Sequence, residues 1–416
     1  MTSDARRAYV WVWMPGATDP VVAGRLDATG DAVTFVYGRS YLARADRVPL
    51  FLPELPLRDE VLTPLDGMQV AGCISDAGPD AWGQRLILRK RFGAHQSERD
   101  VGQVGLLDYL LESGSDRVGA LDFQASPTEY VPRIAHAPLD ELLAAADRVD
   151  AGLPFDPVLE RALLHGSSLG GARPKVQLEG DGNRKLIAKF SRRSDPYPVV
   201  NAEGLAMELA RRVGIDVANT EVIRCRDTDV LLVERFDRTP VAGQRRMLVS
   251  ALTILRLDER WGWHATYTAL AENVRRRFTE PDATLRELFR RIAFNICVGN
   301  IDDHARNHAA FWDGATEMLR LTPAYDICPQ ARSVGEVEQA MAFGTGGERR
   351  SRLQPLLRAA PLYHLDAATA RAIVDDLVEV IRTDWDAAAD LARLSAADRQ
   401  LLWSRQILNP SIFYVD

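Results

Sequence analysis

The chain has 416 residues, 46% of them hydrophobic and 26% charged, the mixture of a globular protein of roughly two to three domains rather than a disordered or fibrous one. Fifty-one Lys and Arg against 58 Asp and Glu leave a net charge of −7, which excludes a surface built throughout to neutralise nucleic-acid phosphates but allows a local basic patch. Cys73, Cys225, Cys297 and Cys328 are too scattered for a zinc site or a disulfide scaffold, and no stretch reads as a secretory signal or membrane span, so a cytoplasmic protein is expected.

Two β-branched and aromatic runs, Tyr9 to Met14 and Ala32 to Tyr37, read as strands bounded by Pro15-Gly16 and Gly38. Gly78-Pro79-Asp80 then opens a helix over Ala81 to Arg91. Ser126 to Pro138, with three prolines and no period, reads as a linker. A helix follows over Leu139 to Val149, then a small-residue loop around Ser167 to Gly171. Val176 to Leu178 and Lys185 to Phe190 read as a hairpin across Gly180-Asp181-Gly182-Asn183.

Further on, Ala202, Leu205, Ala206, Leu209, Ala210 and Val213 recur at helical spacing over Asn201 to Val213, and Gly214 ends the run. Val230 to Val233 is a continuous apolar strand. Leu285, Leu288, Phe289, Ile292 and Ile296 mark an amphipathic helix stopped by Gly299, and Ala309 to Trp312 with Met318 to Thr322 flank an Asp313-Gly314 turn. Past Ser351 the pattern is mainly helical. The fold class is therefore α+β, with strands first and helices later.

The stretch that carries chemistry is Gly299-Asn300-Ile301-Asp302-Asp303-His304-Ala305-Arg306-Asn307, a loop between a buried helix and a hairpin. Asp302 and Asn307 have the spacing of base and metal-binding Asn in the protein-kinase catalytic loop, one carboxylate to accept a hydroxyl proton and one amide oxygen aimed at Mg²⁺. The hairpin ends at Tyr325-Asp326-Ile327, where a kinase places its second metal-binding Asp. Asp and Asn also make ordinary loop turns, so this match is informative only with what lies upstream. There Lys189 sits alone on an apolar strand, either for nucleotide phosphates or as an edge residue facing water. Glu203 follows in the first turn of its helix, serving the helix dipole or orienting that lysine. Gly166 to Lys175 is neither a Walker loop nor a kinase glycine loop. Its small residues, Gly170 and Gly171 among them, let backbone amides approach a phosphate, and Lys175 adds charge; a flexible connection between domains would suit them equally.

In these motifs the chain resembles the HipA-family serine/threonine kinases, the toxins of type II toxin–antitoxin modules. The resemblance spans nearly the whole length, through Ser75 to Gly83, Asp116 to Leu121, Ser168 to Lys175, Val233 to Arg238, Gly299 to Asn307 and Leu321 to Ile327. It implies a kinase-like, two-lobed fold: a strand-rich N-terminal subdomain (1–125), an ATP-binding lobe (139–245) and a mainly helical lobe (246–416). It implies that Asp302 is the catalytic base, that Asn307 and Asp326 hold Mg²⁺, and that Lys189 contacts ATP phosphates. It implies that Glu234 and Phe236 offer backbone groups to adenine and that Ser168 is autophosphorylated, with Ser167 beside it as the alternative. The implied partners are a small helix-turn-helix antitoxin of the HipB kind, operator DNA reached through it, and an aminoacyl-tRNA synthetase as substrate.

Arg306 is suited to steadying the γ-phosphate or to offsetting the nearby acids. Met247 to Arg256 departs from the family's pattern. Two other functions stay open. One is an antitoxin-bound co-repressor, for which Arg275-Arg276-Arg277 and Arg290-Arg291 would reach phosphates. The other is a metal-dependent hydrolase using His304 and His308, four apart beside Asp302.

Overall fold

The computed structural model describes residues 5–93, 104–135, 137–150, 159, 163–164, 173–191, 195–331 and 337–415. The chain gathers into two units, one of residues 1–192, 234–249 and 312–317, the other of residues 193–233, 250–311 and 318–416. The expected 139–245 segment thus contributes to both.

In the first unit, Arg7–Val12 (β1), Val21–Thr29 (β2), Ala32–Tyr37 (β3) and Leu121–Gln124 (β4) form a sheet of order β3-β2-β1-β4. All its pairings are antiparallel, with Leu26 opposite Phe35 and Val10 opposite Phe123. Those four side chains are essentially inaccessible to water, each burial contributing about 2 kcal/mol. The helix Ala81–Phe92 starts where Asp80 caps it, Oδ1 accepting from the Gly83 amide at 2.7 Å. It buries Trp82, Leu86 and Ile87. Lys175–Glu179 (β5) and Lys185–Phe190 (β6) make the expected hairpin.

The stretch read as a linker is instead strapped to the sheet over its residues 126–135. The Tyr130 ring packs on Trp11 and Trp13 at 5.4 and 5.6 Å. Its hydroxyl donates to Asp122 at 3.0 Å, and Arg133 donates to Asp122 and to the Ser113 carbonyl. The prolines that suggested a linker only keep the strap out of regular structure.

The second unit is mainly helical. The helix Val199–Arg212 buries Ala202, Leu205, Ala206 and Leu209 and packs on the long helix Ala367–Leu391. It also lies against Thr220–Cys225 (β7), which pairs with Thr228–Glu234 (β8). That approach is close enough that a Cβ on Gly204 would meet Val222 at 2.4 Å, so a larger residue there would have to displace that side chain. The helix Pro281–Val298 begins with Pro in its first turn and ends at Gly299, whose φ of 70° is the left-handed cap that glycine adopts without strain. Leu285, Leu288, Phe289, Ile292 and Ile296 are its buried stripe. Ala309–Asp313 (β9) and Met318–Leu321 (β10) follow as hydrogen-bonded neighbours. Gly299 therefore launches a loop from the end of a rigid, buried helix straight into a strand. No helix among the described residues is long and apolar enough to cross a membrane.

Candidate active site

The loop from Gly299 to His308 is tied down along its length. The Asn300 amide donates to the Asn295 carbonyl at 2.9 Å, Gln330 N to the Gly299 carbonyl at 2.9 Å, and Ala340 N to the Ile301 carbonyl at 3.0 Å. Inside the loop His304 N reaches the Asp302 carbonyl and Asn307 N the His304 carbonyl, both at 2.9 Å. The segment Ala305–Asn307 is a 3-10 turn.

Asp302 is exposed at the rim of this loop. Partial loss of solvent raises its carboxyl above the ordinary carboxylate range; His304 pulls it back, and the carboxylate of Asp326 pushes it up again. Asp302 and Asp326, 24 positions apart in sequence, thus face one another electrostatically. Asp326 holds a φ of 60°, a left-handed conformation that Asp tolerates better than most residues. The preceding Tyr325 hydroxyl donates to the Arg306 carbonyl at 2.7 Å and binds this segment to the loop. Asn307 is buried and its Nδ2 donates to the Asp302 carbonyl at 3.3 Å, so the amide nitrogen faces the loop backbone and Oδ1 is the acceptor left to the site.

Beneath the loop lies a polar layer that the sequence pattern did not reveal. His308 Nε2 sits 3.1 Å from the Asp303 carboxylate and 3.0 Å from the Tyr267 hydroxyl. Asn295 Nδ2 donates to Asp303 Oδ2 at 2.6 Å, and Asn300 Nδ2 to Asn295 Oδ1 at 3.1 Å. All five residues are buried. Asn295, a polar residue on the apolar stripe of its helix, was the signal that such a layer existed.

The expected pair of metal-ligating histidines is not formed. A 3-10 turn separates His304 from His308, so they do not share an α-helical face, and His308 points into the core against Asp303. Among the described residues no group of three or more His, Cys, Asp or Glu is arranged to hold a metal. Arg291, expected on a DNA-facing patch, is buried and donates to the Thr322 carbonyl at 2.9 Å. Arg275 bonds His364 at 3.1 Å.

The other expected site residues occupy both units. Lys189 is half-buried on β6 in the first unit, and Glu203 is buried on the Val199–Arg212 helix in the second. Lys175, on β5, is buried with Nζ 2.8 Å from Asp80. Ser167, Ser168, Gly170 and Gly171 lie outside the described residues.

Around Glu234 and Phe236, both half-buried, the alternating partners turn inward. Arg235 donates two parallel hydrogen bonds to Asp237, Nε to Oδ1 at 3.0 Å and Nη2 to Oδ2 at 2.8 Å. It also donates to the carbonyls of Asp116 and Arg117. Asp237 further accepts the Gly119 amide at 2.8 Å. Burial would raise the Asp237 carboxyl, but Arg235 and Arg238 hold it down to about 2. The segments Asp116 to Leu121 and Glu234 to Arg238, distant in sequence, are therefore joined by one buried ion cluster within the first unit.

Two known domain families match the chain. Residues 12–124 match the HipA N-terminal domain and residues 167–385 the HipA-like C-terminal domain. Y4mE of Sinorhizobium fredii, provisionally named a kinase, is 28% identical over 330 residues, covering 72% of this chain and 73% of that protein. The serine/threonine-protein kinase toxin HipA of Shewanella oneidensis is 26% identical over 268 residues, 53% of this chain and 59% of that protein. One chain in the structure of the Shewanella oneidensis MR-1 toxin–antitoxin system, HipA and HipB with operator DNA, superposes with a TM-score of 0.69. It does so at 19% identity over 98% of this chain and 100% of that chain, a likeness of fold.

Proposed function

This chain belongs to the HipA-like family, whose C-terminal domain covers just over half of it, and on that premise we propose that it is a serine/threonine protein kinase, the toxin of a toxin–antitoxin pair. The observation that carries the reading is Asp302 and Asn307 on one pinned loop with the Asp326 segment tied to it through Tyr325, so that the Asp326 carboxylate perturbs that of Asp302. Two carboxylates and an amide oxygen are hard donors that fit Mg²⁺ together with phosphate oxygens. Asn307 and Asp326 would hold the ion, and its chemistry is to neutralise charge on the phosphates of ATP.

Asp302 receives the proton of a substrate Ser or Thr hydroxyl as that oxygen bonds to the γ-phosphorus; the bond from γ-phosphorus to the bridging oxygen breaks and ADP leaves. Its exposed carboxylate suits a group that must meet another protein's hydroxyl. Lys189 contacts the triphosphate and Glu203 orients it; backbone groups of Glu234 and Phe236 receive adenine. Gly170 and Gly171 would offer backbone amides to the phosphates, with Lys175 at the start of β5 just after them, and phosphorylation of Ser168, or of Ser167, would add a dianion that competes with ATP's own phosphates. His304 tunes Asp302, and Arg306 braces the loop through Glu259 at 3.1 Å.

The proposed partners are a HipB-like antitoxin, operator DNA through it, and an aminoacyl-tRNA synthetase as the phosphorylated protein, in the cytoplasm. The test is to incubate the purified chain with Mg-ATP and map any phosphate by intact mass and peptide analysis. Phosphate on the wild type and none on Asp302→Asn is the expected result; a wild type that neither binds ATP nor acquires phosphate would remove the kinase reading.

A further inference from the structure

We propose that Trp261 and Trp263 form a docking platform for an apolar side chain of the protein substrate, a few residues from the hydroxyl that is phosphorylated. The proposal rests on the kinase reading and deepens it by naming the substrate chemistry.

Both tryptophans lie on the 3-10 turn Glu259–His264 and are 52% and 61% exposed. A large aromatic ring left in water is unfavourable unless something covers it, and Trp is among the residues enriched at the centres of binding surfaces. Their centroids are 5.1 Å apart with the planes tilted by 58°, and the His264 ring lies 5.3 Å from Trp263 and 6.0 Å from Trp261. Three rings are thus gathered on six residues of chain.

The turn is held in place. Asp258 caps it through the Arg260 amide at 3.0 Å, and Trp261 N donates to the Asp258 carbonyl at 2.9 Å. Ala265 is buried directly after it. Its link to the chemistry is Glu259, whose Oε2 meets Arg306 Nη2 at 3.1 Å. Arg306 lies on the catalytic loop between Asp302 and Asn307, and its carbonyl is gripped by Tyr325, next to Asp326. The tryptophan turn is therefore ion-paired to the loop that carries Asp302.

Charge decides the class of occupant. Asp258 pairs with Arg260 at 2.8 Å and Glu259 with Arg306 at 3.1 Å, so the turn's acids match its arginines and the exposed rings sit in a surface with no excess charge. A nucleic-acid strand would ask for uncompensated positive charge along its backbone and parallel ring faces for its bases. Two tilted rings without net charge fit an aliphatic or aromatic side chain better.

The experiment scans Ser-centred peptide libraries with the full-length chain and Mg-ATP, comparing the wild type with W261A/W263A and W261F/W263F. ATP affinity and thermal unfolding are measured on the same samples. The wild type should select Leu, Ile, Met or Phe at one or two positions within about five residues of the acceptor. The alanine pair should lose that selection through a KM at least tenfold higher, and the phenylalanine pair should restore most of it. Unchanged selection in the alanine pair overturns the platform while leaving the kinase reading intact. RNA-oligonucleotide binding that the alanine pair abolishes, with peptide selection unaltered, overturns it in favour of a nucleic-acid surface. Absence of both ATP binding and phosphate transfer in the wild type overturns the kinase reading and the platform with it.

Discussion

Asp303 and His308 clasp the catalytic loop from its buried side: Nε2 of His308 stands 3.1 Å from the Asp303 carboxylate. Everything the site needs from this loop lies next to or between these two residues. Asp302 precedes the first, Asn307 precedes the second, and His304 and Arg306 lie in the span. The clasp is itself braced by Tyr267 at 3.0 Å and Asn295 at 2.6 Å, one from each of two packed helices. The loop's geometry is therefore inherited from the helical core.

Removing the clasp should loosen the site as well as weaken the fold. His308→Ala leaves the buried Asp303 carboxylate without its ring partner, which costs about 3 kcal/mol. Urea unfolding should show that loss. Phosphate transfer at saturating ATP should fall more than tenfold, while His308→Gln, whose amide N–H can still reach Asp303, recovers part of both. Loss of stability with full kcat retained in the surviving folded protein would mean that the clasp does not position Asp302.

Asp302 behaves differently because it is exposed. Asp302→Asn removes the proton acceptor and should lower phosphorylation by roughly 10²–10⁴-fold. Neutralising it also relieves repulsion from Asp326, so stability should hold within about 0.5 kcal/mol or rise slightly. Quantitative mass spectrometry beside a thermal melt separates the two effects.

Much of this was legible in the residues. Ala32–Tyr37 and Lys185–Phe190 are strands at the bounds their β-branched runs imply, and Gly299 ends its helix where a glycine cap should. β2 escaped notice because Gly24, Arg25 and Asp27 interrupt its apolar run, and β7 because a half-exposed edge strand such as Thr220–Cys225 carries Glu221 and Arg224 outward. At the site, the order of Asp302, Asn307 and Asp326 marked the loop. The clasp could not be read from spacing, since His308 and Asp303 look the same whether they turn outward to a metal or inward to each other. Only the three-dimensional burial of Asn295 and Tyr267 selects the second.

The ion cluster of the first unit had a sequence signal of its own: in Glu234-Arg235-Phe236-Asp237 the period of two places Arg235 and Asp237 on one face. Asp237→Ala would leave Arg235 buried beside Asp116 with its two hydrogen bonds to Asp237 gone and the Gly119 amide without an acceptor. A loss of about 3–5 kcal/mol is expected, enough to unfold a marginal unit at ambient temperature. Circular dichroism and limited proteolysis of this variant should report an unfolded first unit. A variant as stable as the wild type would show that water replaces the carboxylate there.

Glu54 makes the stability of the first unit depend on pH. It is 3% exposed, and its two oxygens accept the amides of Gly72 and Cys73 at 2.8 and 3.0 Å, at the start of the short helix Gly72–Asp76. Burial pushes its carboxyl up to about 7; the two amides pull it back without cancelling the effect, and Asp76 adds to the rise. In the unfolded chain the group titrates near its ordinary value of 4.5. Between these values the folded form holds a proton that the unfolded form has released, so stability falls as pH rises, at up to about 1.4 kcal/mol per pH unit. The contribution is complete below 4.5 and gone once pH has passed about 7. Glu54→Gln cannot titrate; it keeps one acceptor but turns an N–H toward the second amide, so at pH 5 it should be less stable than the wild type by about 1–2 kcal/mol. That gap should shrink by pH 8, as the wild type alone loses its bound proton. Urea midpoints of both proteins at pH 5, 6, 7 and 8 measure the difference directly, and a gap that stays constant over this range would mean that Glu54 is ionised throughout.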